Sequence, residues 1–233
     1  AVNTLVWGSA AVVSTGIIGV VKIHHGLIEE ALFAKYGILS ALMGVGMIFG
    51  ALIVVTIGTR RESSIVLTFG LIFAGLFTLL LAAVPWWPVT YAACFCIGVF
   101  GNIAIISAIT VLQSICPNYI RGRIMGINAM VNTGFSVTIY LIIWQMPKAD
   151  YWILIIMLVL GPLLMVVGLI AMVRHLINGP MPNKMANLFW RLVKLFCFSW
   201  HSLAVHNKQH IPAQGPVVIV ANHTTAMDPF LIQ

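Results

Sequence analysis

Charge is scarce in this chain. Of its 233 residues, twelve are Lys or Arg and five are Asp or Glu, 7% in all. A soluble domain carries about 25%. So few charges cannot cover a water-facing surface, which excludes an ordinary soluble enzyme and a disordered charged tail. Cysteine is scarce too. Cys94, Cys96, Cys116 and Cys197 lie in or beside apolar runs, which excludes a disulfide scaffold. Cys94 and Cys96, two apart, point to different faces of a helix and read as small buried hydrophobes. The start, Ala1-Val2-Asn3, lacks Met and a basic leader, and reads as the start of a fragment. What is abundant is hydrophobic: 61% of residues, with a mean hydropathy of +1.06. That leaves a polytopic membrane protein. In so apolar a chain, the net charge of +7 belongs at lipid headgroups, and no nucleic-acid partner is expected.

Six apolar segments stand out, at 3–21, 37–57, 64–84, 89–114, 124–146 and 151–173. Each can cross a hydrocarbon core of about 30 Å as a helix, and none contains a charged residue. Loops after the odd-numbered spans hold Lys22, Glu29, Glu30, Lys35, Lys148 and Asp150, which balance. The other side holds Arg60, Arg61, Glu62, Arg121, Arg123 and the tail after the sixth span, and carries the whole net charge. The positive-inside rule makes that side cytoplasmic, with both chain ends there. Trp86, Trp87, Tyr151 and Trp152 then fall at the opposite interface as an aromatic belt.

Gly44, Gly46 and Gly50 in the second span, and Gly70, Ala74 and Gly75 in the third, allow close helix approach, either as static packing or as sliding surfaces of a transporter. Residues 175–184 form a linker punctuated by Gly179-Pro180 and Pro182. Residues 185–200 predict an amphipathic helix, with Asn187, Arg191 and Lys194 on a narrow polar face and Leu188, Phe189, Leu192 and Phe196 among a wide apolar one. It suits the cytoplasmic leaflet surface; the alternative is a core helix of a following domain. Val217–Ala221 then predicts a buried strand, and Asn222–Pro229 a strand-to-helix turn. The fold class expected is therefore an all-α polytopic membrane protein followed by the first strand-turn of an α/β domain.

Polar side chains within the spans are few. Asn102, Gln113, Asn128 and Asn132 are candidate substrate-binding residues, with Thr133 and Gln145 nearby in type. An amide in hydrocarbon must face another helix or a wet cavity, so interhelical bonding and cavity lining both stay open. No metal site is expected at His24 and His25.

Two loops carry a resemblance. Gly50 with Gly58-Thr59-Arg60-Arg61, and Arg121-Gly122-Arg123-Ile124-Met125-Gly126, resemble loop motifs of the major facilitator superfamily. The first departs from the pattern, since no acidic residue precedes its arginines. The resemblance covers residues 1–174 and implies the C-terminal six helices of that fold, with Arg60, Arg61, Arg121 and Arg123 as gating residues that pair with helix-end carbonyls or a carboxylate. Simple positive-inside anchoring is the other reading of the same arginines.

The second resemblance is at the end of the chain. Ile211-Pro212-Ala213-Gln214-Gly215-Pro216, the strand, and Asn222-His223-(x)4-Asp228-Pro229 resemble the N-H-x-x-x-x-D opening of glycerolipid acyltransferases, over 201–233. The spacing suits the chemistry. A glycerol hydroxyl must lose a proton as it attacks an acyl thioester. His223 is the candidate general base, and Asp228 would orient its ring and stabilise its cation. Together the two parts resemble the bacterial lysophospholipid transporters fused to 2-acylglycerophosphoethanolamine acyltransferase. That resemblance implies lysophospholipid transport coupled to re-acylation in the bacterial inner membrane, with acyl-acyl-carrier-protein or acyl-CoA as donor. It also implies acyl carrier protein and membrane lipids as partners, a six-helix half before Ala1, and the rest of the acyltransferase and often a synthetase domain after Gln233. This piece alone is then expected to lack acyl transfer. The alternatives are a facilitator for another small solute, and a membrane-anchored acyltransferase whose spans transport nothing.

Overall fold

The computed structural model describes residues 2–58, 63–146, 148–178 and 183–200. Every regular element among them is a helix: α1 Val2–His25, α2 Glu29–Gly58, α3 Ser63–Ala83, α4 Trp87–Ile115, α5 Arg121–Gln145, α6 Ala149–Ile177 and α7 Lys184–Trp200. The first six are long and apolar enough to cross a membrane, as the six hydrophobic runs predict. A helix is the natural form for such runs, because in lipid every backbone N–H and C=O must find its partner within the segment. The predicted strand at 217–221, and Arg60 and Arg61, lie outside the described residues. The chain divides into two units, Ala1–Met172 and Val173–Gln233.

The helices stop where local chemistry stops them. Gly26 adopts φ +64, the left-handed conformation that ends a helix at least cost in glycine, and the Leu27 N–H reaches back to Val21 O. Pro88 sits in the first turn of α4, where its missing N–H is no loss. Cys116 leaves the helical conformation at the far end of α4, immediately before Pro117. Pro162 lies inside α6 and removes one rung of its hydrogen-bond ladder.

Within the first unit the core concentrates at the end that carries the α1–α2 connection. Ile17, Val20 and Val21 of α1, Leu39 of α2, Leu81 of α3, Cys94 of α4 and Met157 of α6 are sealed there. Val6, Leu71, Ala104 and Leu164 continue the seam toward the other end through α1, α3, α4 and α6, without α2. Between helices in lipid there is no hydrophobic driving force, so fit decides the association. The glycines supply it. A Cβ on Gly46 or Gly50 of α2 would run into the backbone of Phe95 or Val99 on α4, and one on Gly98 would meet the Met43 carbonyl of α2. Gly75 and Gly161 do the same for α3 and α6. The small-residue spacing in the second span is thus a packing surface against α4. Gly44 is the exception, with open space around it.

α5 behaves differently. Asn132 is its only buried residue, while Ile127, Met130, Val131, Leu141 and Trp144 are exposed. An exposed apolar face of this kind is what a spanning helix offers to lipid. Of the four aromatic residues expected at that interface, Trp86, Tyr151 and Trp152 are exposed, and Trp87 is half-buried and stacks on His25 with ring centroids 3.7 Å apart.

In the second unit, α7 is preceded by Asn183, whose side-chain oxygen accepts the Met185 N–H. Phe189, Leu192 and Phe196 are exposed along one side. The expected polar face is not a simple water-facing stripe. Asn187 is buried and donates to Ile177 O, and Arg191 donates to Asn178 O and contacts His175 Nε2 at 2.8 Å. One turn apart on α7, both side chains serve the last carbonyls of α6. Those are the groups a helix C-terminus leaves without an internal donor, and a guanidinium there also meets the negative end of the helix dipole.

Candidate functional site

The first unit contains a cavity of about 80 Å³ between α1, α2, α3, α4 and α6. Its polar lining is Ser9, Thr78 and Asn102, and each is already engaged. The Ser9 hydroxyl donates to Val6 O at 2.7 Å, Thr78 to Ala74 O at 2.8 Å, and the Asn102 amide to Met47 O at 2.7 Å. A helix-internal hydroxyl bond turns a polar residue into a nearly apolar wall. Together with Val13, Leu71 and Leu164, the lining suits a short alkyl segment and offers no charge to a headgroup.

Of the four amides proposed for substrate binding, Asn102 alone lines this cavity. Gln113 is exposed near the end of α4. Asn128 and Asn132, one turn apart on α5, belong to a different junction. The Asn3 amide of α1 donates to Asn128 Oδ1 at 2.7 Å, while the Oδ1 atoms of Asn3 and Asn132 are buried without a hydrogen-bond partner. Asn3 escaped the sequence reading because it lies at the edge of the first span, where a polar residue looks like a terminus.

An unmet carbonyl in an apolar site costs about 1–3 kcal/mol. Asn132→Leu is therefore expected to raise the melting temperature of the detergent-solubilised protein. A fall instead would mean that the amide already holds the α1–α5 junction together.

Arg121 opens α5 and donates from Nη2 to Cys116 O at 3.4 Å, the last residue after α4. Arg123 is exposed. The ion pair among the described residues is elsewhere, Lys22 with Asp150, joining the ends of α1 and α6.

The opposite end of α4 gathers groups that no motif announced. His25 stacks on Trp87, and its Nε2 lies 3.2 Å from the hydroxyl of fully buried Thr90. Trp87 stacks in turn on Tyr91 at 5.6 Å. Lys35, from α2, donates to Tyr91 OH at 3.2 Å and lies 5.3 Å from the Trp87 ring centre. In the sequence these residues are separated by up to 66 positions, and only the α1–α2–α4 packing brings them together.

His223 and Asp228 lie outside the described residues, as does the whole of 201–233. Among the described residues no group of His, Cys, Asp and Glu is arranged to hold a metal ion. No curated protein and no solved structure matches the chain. A protein family described as Acyltransferase matches residues 202–233, the stretch that contains Asn222-His223-(x)4-Asp228.

Proposed function

We propose that this membrane protein joins a lysophospholipid transporter half to a glycerolipid acyltransferase, so that lysophospholipid is moved across the bilayer and re-acylated on the arriving side. The observation that carries the reading is the acyltransferase match at 202–233 in a chain that holds, between Val2 and Ile177, six helices able to span a membrane. His223 is the general base that takes the glycerol hydroxyl proton, and Asp228 holds its ring. The acyl donor is a thioester, on acyl carrier protein or coenzyme A.

The helical part supports transport in two ways. Its helices meet through glycine backbones, which permit small rigid-body shifts without large side-chain rearrangement. Its cavity is apolar, as a short alkyl segment of a lipid requires. The exposed apolar side of α7, with Phe189, Leu192 and Phe196, suits insertion into the headgroup boundary. That would keep an acyl-transfer site at the depth of its lipid substrate. The arginine-rich side is cytoplasmic by charge, and the membrane is the bacterial inner membrane.

The reading is tested in proteoliposomes made with the product of this protein's gene, with fluorescent lysophosphatidylethanolamine in the outer leaflet. Protection of the label from a membrane-impermeant quencher is expected to rise faster than in protein-free vesicles. Equal rates, with re-acylation of lysolipid already on the enzyme's side still present, would leave an acyltransferase with a membrane anchor and remove the transport claim.

A further inference from the structure

Lys35 is a half-buried cation at the end of an apolar helix, and no described carboxylate pairs with it. Its ammonium has three donors. One goes to Tyr91 OH, and the faces of Trp87 and Tyr91 lie 5.3 and 5.9 Å away. Aromatic faces hold a cation in place without neutralising it. Two more nitrogen-bearing side chains lie at the same end, on α1, linked to it through the Trp87 ring. His25 is fixed by the Trp87 stack and the Thr90 hydroxyl. His24 meets His25 edge-on at 6.4 Å, and its Nδ1 is buried without a hydrogen-bond partner. Among the described side chains, the neighbouring charges are otherwise placed. Lys22 and Asp150 neutralise each other, and the side chain of Glu30 is exposed, five residues before Lys35.

We propose that Lys35, Tyr91 and the His24–His25 pair form a binding site for the phosphate of a lipid headgroup, at the membrane face that carries the α1–α2 connection. An ammonium with donors to spare is a point-charge partner for a phosphate oxygen. The unmet His24 nitrogen adds a second polar contact. Depth favours a lipid over a solute. The cluster sits at the ends of spanning helices beside exposed Trp86, Tyr151 and Trp152, and such rings mark the headgroup level. The stacked His25, Trp87 and Tyr91 rings give an apolar floor beside the charge, suited to the glycerol and first methylenes of the lipid. The site rests on the six spans, and on neither transport nor acyl transfer.

The test is equilibrium binding with the purified 233-residue chain in detergent micelles. Dioctanoyl phosphatidic acid is the probe, with dioctanoylglycerol and glycerol 3-phosphate as comparators. Saturable binding of phosphatidic acid is expected, weakened about tenfold or more by Lys35→Gln, the scale of one lost charge-assisted hydrogen bond. Lys35→Arg should retain it. Tyr91→Phe removes only the phenol that holds Lys35 and should weaken binding less. It carries the test if Lys35→Gln loses its helical circular dichroism or its monodisperse elution. Equal binding of dioctanoylglycerol, or unchanged affinity in the variants that fold, would overturn the proposal. Displacement of the lipid by glycerol 3-phosphate at matching concentration would overturn the lipid as source and leave a site for soluble phosphate esters.

Discussion

Exchange of His223 for alanine should lower acyl transfer by about 10²- to 10⁴-fold, the range of a lost general base. The measurement uses membranes of cells expressing the gene for this protein, supplied with lysophosphatidylethanolamine and an acyl thioester. The amount of protein in the membrane and the rate of lysolipid movement should not change. The reason is chemical. A glycerol hydroxyl is a weak nucleophile until its proton has somewhere to go, and the neutral imidazole is the group in the Asn222–Pro229 stretch able to take it near neutral pH. Asp228→Asn should cost less than removing the ring itself, because it keeps an acceptor for the imidazole while removing the charge that stabilises its cation. If His223→Ala retains most of the activity, the base lies elsewhere and the Asn222-His223-(x)4-Asp228 reading fails.

Gly98→Ala should destabilise the six-helix unit by about 1–3 kcal/mol, although it adds a single methyl group. The new carbon would collide with the Met43 carbonyl of α2, and behind it lies the Met47 amide nitrogen. Both are backbone atoms of a helix and cannot swing away. Two substitutions separate this effect from general glycine replacement. Gly16→Ala meets the Met157 thioether, a flexible end that can move, so its cost should be smaller. Gly44→Ala meets nothing, and alanine is the better helix former, so stability there should hold or rise slightly. Thermal unfolding in detergent, followed by circular dichroism, ranks the three. Equal melting temperatures for Gly98→Ala and Gly44→Ala would mean that α2 and α4 are not held at backbone contact.

The contrast between Gly44 and Gly98 shows where sequence reading stops. Both are glycines in apolar spans, and one of them even stands in the small-residue cluster that first drew notice. Helix register alone does not say which partner a face meets. The same holds for the amides. Asn128 and Asn132 share a face by their spacing of four, which was readable, but the contact of Asn128 with Asn3 joins residues 125 positions apart. Lys35 and His25 looked like ordinary loop residues until α4 brought Trp87 and Tyr91 beneath them.

Six spans, the side bearing the positive charge and the amphipathic character of 185–200 follow from the sequence by itself. These are one-dimensional properties: hydrocarbon thickness sets a length, and the arginines and lysines sort by loop. The acyltransferase opening is equally local, since its histidine and aspartate sit five residues apart. Tertiary structure decided the rest. It made Gly46, Gly50 and Gly98 a backbone contact and stacked Trp87 on His25. It also set Asn187 and Arg191 on the end carbonyls of α6. Each of these depends on which helix lies beside which. In a chain whose helices are apolar on nearly every side, the hydrophobic pattern carries no face to point with, and only shape and hydrogen bonding choose the neighbours.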